Sequence, residues 1–131
     1  MSTIRTNTLL AADGSTTTEP SIPALDQRMA KAWVTANGQN APASILDSYN
    51  ISSVTDRGVG LYTFNYASSF SNTDYCFVAS TMDGGGENDD AGVGCSSGGK
   101  TTTGLALFTY HNDGSVALND ADNVHVIVFS N

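Results

Sequence analysis

The 131-residue sequence predicts an all-β chain, an antiparallel β-sandwich of jelly-roll-like form. Three observations carry this reading. Runs with apolar residues at every second position recur along the chain, glycine- and asparagine-containing breaks separate them, and charged side chains amount to only 14%. Alternation of period two is the mark of a strand with one buried face. Many short strands joined by tight turns also fit a composition rich in Gly, Ser, Thr and Asn. A single domain of this length buries roughly two-thirds of the surface its unfolded chain exposes, so neither a disulfide framework nor a metal is needed to hold it.

The elements follow in order. Residues 1–20 are Thr- and Ser-rich without periodicity and read as an arm, with Ile4, Leu9 and Leu10 as its apolar anchors for a partner. From Ser21, the residues Ile22, Leu25, Met29 and Ala32 stand at spacings of three, four and three, with Pro23 in a first-turn position. That spacing allows a short helix whose seam of Ile22, Leu25 and Met29 lines either a trimer axis or the helix's own domain. The organisation expected is therefore an arm and short helix over residues 1–30, followed by a sandwich knob over 31–131.

Period two begins at Ala32-Trp33-Val34 and resumes at Ile51 beyond the breaks at Asn37-Gly38 and Ala41-Pro42. The clearest strand is Leu61-Tyr62-Thr63-Phe64-Asn65-Tyr66, with Tyr62, Phe64 and Tyr66 on one face. Residues 75–82, 104–111 and 124–129 continue the series. The last is apolar on both faces and is expected in the middle of a sheet. Trp33, Tyr62, Phe64 and Phe129 are expected in the core or at a subunit interface.

Residues 83–103 are glycine-rich and read as a projecting loop, either a binding surface or a mobile excursion. Pairing of residues 75–82 back through Gly84-Gly85-Gly86 would bring Cys95 near Cys76; free core thiols are the other reading of the two cysteines. Asp83, Glu87, Asp89 and Asp90 crowd into this loop as a candidate surface-binding cluster, but their spacing fits no EF-hand, and a solvated acidic turn is expected.

Thirteen acidic against five basic side chains, a net charge of −8, argue against a nucleic-acid or anionic-membrane partner. No apolar run reaches the roughly 20 residues that cross a bilayer, and the opening MSTIRTNTLL lacks a signal-peptide core, so a soluble protein is expected. His111 and His125 stand in no catalytic pattern, and no nucleophile elbow, zinc-protease motif, Walker loop or dinucleotide fingerprint is present. The expectation is a protein with no enzymatic activity, no metal and no cofactor. Tyr49, Tyr66 and Tyr110 are candidates to stack on sugars if exposed.

Three ordered pieces then carry a resemblance: Lys31-Ala32-Trp33-Val34 with Asn37-Gly38, the run from Asp47 through Tyr49-Asn50-Ile51 to Thr55-Asp56, and Gly58-Val59-Gly60-Leu61-Tyr62-Thr63-Phe64. Their succession resembles the C-terminal knob modules of phage tail fibres and tailspikes and related virion proteins, and the opening Ser2-Thr3-Ile4-Arg5-Thr6-Asn7-Thr8 resembles the start of many such proteins. The resemblance covers residues 31–75; beyond them only the strand pattern agrees. It implies a β-sandwich, a homotrimer and residence in the virion after assembly in the host cytoplasm. Since 32 residues precede Trp33, a reach of at most about 100 Å, the expected role is a capsid decoration (cement) protein bound to the major capsid protein or another virion protein. The tip of a tail fibre is the alternative, and a lectin-like module a third. Host cell-surface carbohydrate is a further expected contact.

Overall fold

A computed structural model describes residues 28–82, 91–112 and 116–130. Two compact units divide the chain, Met1–Met29 with Asn131, and Ala30–Ser130. The second is the sandwich. Its strands are β1 (Ala32–Asn37), β2 (Ser44–Tyr49), β3 (Ile51–Asp56), β4 (Leu61–Tyr66), β5 (Cys76–Met82), β6 (Ala91–Gly94), β7 (Lys100–Thr101), β8 (Gly104–Asn112), β9 (Val116–Leu118) and β10 (Asn123–Phe129).

One sheet runs β2-β1-β10-β5; the other runs β3-β4-β8-β6, with β7 and β9 also paired to β8. All pairings are antiparallel. The chain changes sheet between β2 and β3, β4 and β5, β5 and β6, and β9 and β10, the winding expected of a jelly-roll-like sandwich. As the apolar pattern of its sequence requires, β10 is central.

The two inner faces complement each other. The first sheet contributes small and β-branched side chains, Ala32, Val34 and Ala36 from β1 and Val124, Val126 and Val128 from β10, all buried. The second contributes Tyr62, Phe64 and Tyr66 from β4 with Leu105 and Leu107 from β8. Large rings on one layer fill the space that small residues leave on the other. Trp33 and Phe129 are not in this core; both are partly buried on the opposite face.

Polar atoms inside the sandwich are tied to the turns. The Tyr62 hydroxyl donates to Asp120 Oδ1 at 2.8 Å, and the same oxygen accepts from Gly60 N at 2.7 Å. Gly60 has φ +66°, and a Cβ there would lie 2.5 Å from the Thr109 carbonyl, so only glycine fits. Buried Thr109 donates its hydroxyl to the Asn119 carbonyl. Tyr75, also buried, donates to the Thr101 and Gly104 carbonyls, each at 3.2 Å, and Lys100 Nζ sits 4.9 Å from its ring centroid.

Three sequence expectations are corrected. Residues 75–82 do not fold back on the glycine-rich segment: β5 pairs with β10, and the chain then passes to the other sheet. Cys76 is exposed on the first sheet, Cys95 packs partly buried against the core beyond β6, and both are free thiols. The segment 83–103 is not one loop, because Ala91–Gly94 and Lys100–Thr101 are strands. Gly92 and Gly94 lie opposite Tyr110 and Phe108, whose rings occupy the space a Cβ would need at 2.4 Å; aromatic cover makes an AGVG run a workable strand. The helical spacing from Ser21 does not reach Ala32, which begins β1 and is fully buried.

Between β2 and β3 a single residue, Asn50, carries the chain across at φ +53°. Its side-chain nitrogen donates to the Lys31 carbonyl (3.0 Å) and the Ser68 carbonyl (3.2 Å), while its Oδ1 accepts from Ser68 N at 2.7 Å. Two losses therefore separate on substitution. Asn50→Gly removes the amide bonds alone, whereas Asn50→Ala also imposes a left-handed backbone costing about 1–2 kcal/mol. Urea denaturation should rank wild type above Gly above Ala; equal stability of the two variants would contradict the strain argument.

Burial is also the first cause that raises the hydroxyl pKa of Tyr62, Tyr66 and Tyr75; Asp120 adds to it for Tyr62. The sign follows directly. The folded state holds these protons where the unfolded chain releases them, so the stability they support is intact below about pH 10 and is lost as pH rises further. Phenolate absorbance from these three should appear together with loss of the circular dichroism signal. Ionisation of all five tyrosines with the fold intact would contradict this.

Candidate association face and end cleft

The outer face of the β2-β1-β10-β5 sheet is built in cross-strand rows, because paired antiparallel residues share a face. Trp33 pairs with Tyr49 on one side and Ile127 on the other, and Ile127 pairs with Val78. The row Tyr49, Trp33, Ile127, Val78 thus crosses the whole sheet. Val78 is 64% exposed, Ile127 44% and Tyr49 38%. Water covers apolar side chains here that a monomer gains nothing by displaying.

The next row is polar: Asp47, Thr35, His125, Ser80. Thr35 Oγ1 lies 3.2 Å from His125 Nδ1. Asn123 with Met82, and Phe129 with Cys76, flank the two rows at either end. Met82 and Cys76 are exposed. Asp47 is the only carboxylate or ammonium side chain in the two central rows, although the chain carries a net charge of −8. At the sheet's edge, β5 (CFVASTM) contains no charge and no proline, the devices that ordinarily blunt an exposed edge.

A cleft opens where β2 passes to β3. Lys31, Tyr49, Asn50, Ser68, Ser69 and Phe70 line about 350 Å³. The Asn50 amide bonds already described hold its floor, together with Ala67 N donating to the Asn50 carbonyl at 3.1 Å. Phe70 is fixed by its backbone bond to Thr102 O (2.9 Å) and by ring contacts with Tyr66 (4.5 Å) and Tyr75 (5.2 Å).

The residues singled out from sequence fall in several places. Ile4, Leu9 and Leu10 of the arm, Ile22 and Leu25 of the seam, and the loop residues Asp83, Glu87, Asp89 and Asp90 all lie outside the described residues. Met29 is 49% exposed. Of the three tyrosines proposed for sugar stacking, Tyr66 is buried, and Tyr110 is partly exposed with its ring over Gly92. Tyr49 remains exposed at the cleft. His111 lies on β8 between β6 and β9, in the other sheet from His125 on β10. Among the described residues, no group of three or more His, Cys, Asp or Glu side chains could hold a metal ion.

Sequence reading missed the outer face and the cleft. Ile127 carried a signal: an apolar residue on the non-core face of β10 marks an exposed apolar row as well as a central strand. Comparison with protein-family models, curated proteins and solved structures finds no match.

Proposed function

We propose that this chain is a non-enzymatic virion structural protein, a homotrimeric phage capsid decoration (cement) protein whose knob also contacts the host surface. The observation that carries the association is the apolar, nearly charge-free outer face of the β2-β1-β10-β5 sheet. Copies of a chain with net charge −8 repel one another, so they approach most cheaply through the surface with the fewest carboxylates. The row of Trp33, Ile127 and Val78 is that surface, and other copies of this chain are its occupants. Threefold rather than twofold closure, and placement in a virion, are supported by the resemblance to phage knob modules. The residues behind that resemblance have conformational reasons to recur: Asn50, Gly58 and Gly60 all adopt positive φ.

The arm residues Ile4, Leu9 and Leu10 supply the docking segment for the major capsid protein or another virion protein, and Ile22, Leu25 and Met29 add to the trimer contact. A receptor-binding fibre tip is the second reading, favoured because the resembling modules sit on tail fibres. Copy number in the purified particle separates the two: hundreds of copies for a shell component, dozens at most for a tip.

Light scattering should report three chains per particle in solution. Ile127→Asp places a charge at the centre of the face without touching the core, and should give monomers with little change in melting temperature. A wild-type monomer at micromolar concentration, or an Ile127→Asp protein that stays trimeric, would contradict the assignment. Removing residues 1–20 should leave a folded trimer that no longer decorates particles; full occupancy by the truncated protein would move docking to the knob.

A further inference from the structure

We infer that the free edge of β5 is a second contact between copies, pairing antiparallel with β5 of another copy about a twofold axis and so linking one trimer to the next. The edge contact stands without the trimer; that the units it links are trimers rests on the reading above. The other strand edges of the sandwich are blunted in ways that discourage a further strand. β2 shifts register against β1 at Leu46 and bears Asp47. β3 shifts against β4 between Ile51 and Ser53 and ends on Asp56. β6, β7 and β9 are only four, two and three residues long. β5 has none of these devices. Its seven uncharged residues hold an unbroken register with β10 from Cys76 to Met82, and among the described residues the sheet ends there.

The side chains along this edge are also incompletely covered. Phe77 and Ala79 pack against the core yet stay partly exposed, whereas Val124, Val126 and Val128 of the neighbouring β10 are buried. On the outer face Val78 and Met82 are exposed. A further strand removes apolar surface from water on both faces while it pairs the free backbone groups.

The strand that fits is a second β5. Pairing with β2 or β3 brings a register shift and a carboxylate to the contact, and a net charge of −8 already opposes approach. About a twofold axis at Ala79, Phe77 stands opposite Thr81 of the second copy, Val78 opposite Ser80 and Cys76 opposite Met82, so no charge meets another. Directly opposite residues share a face, and the two four-stranded sheets become one continuous sheet. A single pair of short strands is marginal in water. Trimers therefore stay separate at micromolar concentration and join where a surface holds neighbours at an effective concentration of roughly millimolar.

The test is disulfide trapping in the full chain with Cys76→Ser and Cys95→Ser. At the twofold axis, Ala79→Cys places two thiols on Cα atoms about 4.5–5.5 Å apart, within the roughly 4.4–6.8 Å that a disulfide spans. Mild oxidation at about 0.1 mM protein should give covalent pairs about tenfold faster than Ser53→Cys, an exposed thiol on β3 that meets others only by collision. Native Cys76, with Cys95→Ser alone, should link no faster than Ser53→Cys, because antiparallel pairing sets it about 20 Å from its counterpart. Adding Thr81→Lys, an inward-pointing charge on a partly exposed edge position, should abolish the excess at position 79 with the melting temperature retained. Light scattering of the oxidised Ala79→Cys protein should report six chains; two chains would confirm the edge contact and overturn the trimer instead. Equal rates at positions 79 and 53, preferential linking through Cys76, or an excess that survives Thr81→Lys would overturn the inference.

Discussion

Between Tyr49 and Ile51 the chain has one residue in which to leave one sheet and enter the other. Asn50 meets that constraint by adopting φ +53°, a conformation asparagine tolerates better than most residues because its short amide can bond locally. Here the amide bonds instead to Lys31, before β1, and to Ser68, after β4. Three separate stretches of chain are thus joined at one corner. The register of β1 against β2, the start of β3 and the position of the Ser68–Phe70 segment all follow from it. So does the cleft, whose walls are the segments that Asn50 holds together.

From that corner the two sheets diverge in what their outer faces do. The β3-β4-β8-β6 sheet covers its own weak strand: Phe108 and Tyr110 lie over Gly94 and Gly92, which uses its aromatic surface internally. On the β2-β1-β10-β5 sheet the outward residues Ile127 and Val78 are exposed and Trp33 is partly buried. Both sheets are equally sound as halves of one core, since Val and Ala on one side accept Tyr, Phe and Leu from the other. The asymmetry therefore concerns what lies outside the core. A chain that is otherwise strongly acidic leaves a low-charge apolar row on one face.

The sequence reading was most successful where a strand alternates strictly. β1, β4 and β10 each bury every second residue; the core face of β4 was legible in full, whereas Trp33 of β1 and Phe129 of β10, expected in the core or at an interface, fall on the outer face. β2 was not, because SILDSY does not alternate in burial and its pairing shifts by a residue between Thr35 and Ala36. β6 was hidden by its glycines, which look like a loop until Phe108 and Tyr110 are seen to replace the missing side chains. The partner of β5 was misassigned for a topological reason: a glycine-rich connection suits a hairpin and a crossing between sheets equally well. The cleft was invisible because Ser68, Ser69 and Phe70 have no periodicity and meet Lys31 and Tyr49 only through Asn50. The arm, Ile22 and Leu25 of the apolar seam, and the acidic loop lie outside the described residues, so their roles stand as sequence-based proposals.

The association face is the claim on which the functional account turns, and inter-subunit distances address it most directly. With Cys76 and Cys95 replaced by serine, a nitroxide placed at Ser80→Cys would sit in the second row of the outer face, while one at Ser53→Cys would sit on β3 in the other sheet. The account predicts a narrow and short distance distribution for the position-80 labels, with the modulation depth of three spins, and a longer distance for position 53. Absence of dipolar modulation at position 80, or a shorter distance at position 53 than at position 80, would contradict it.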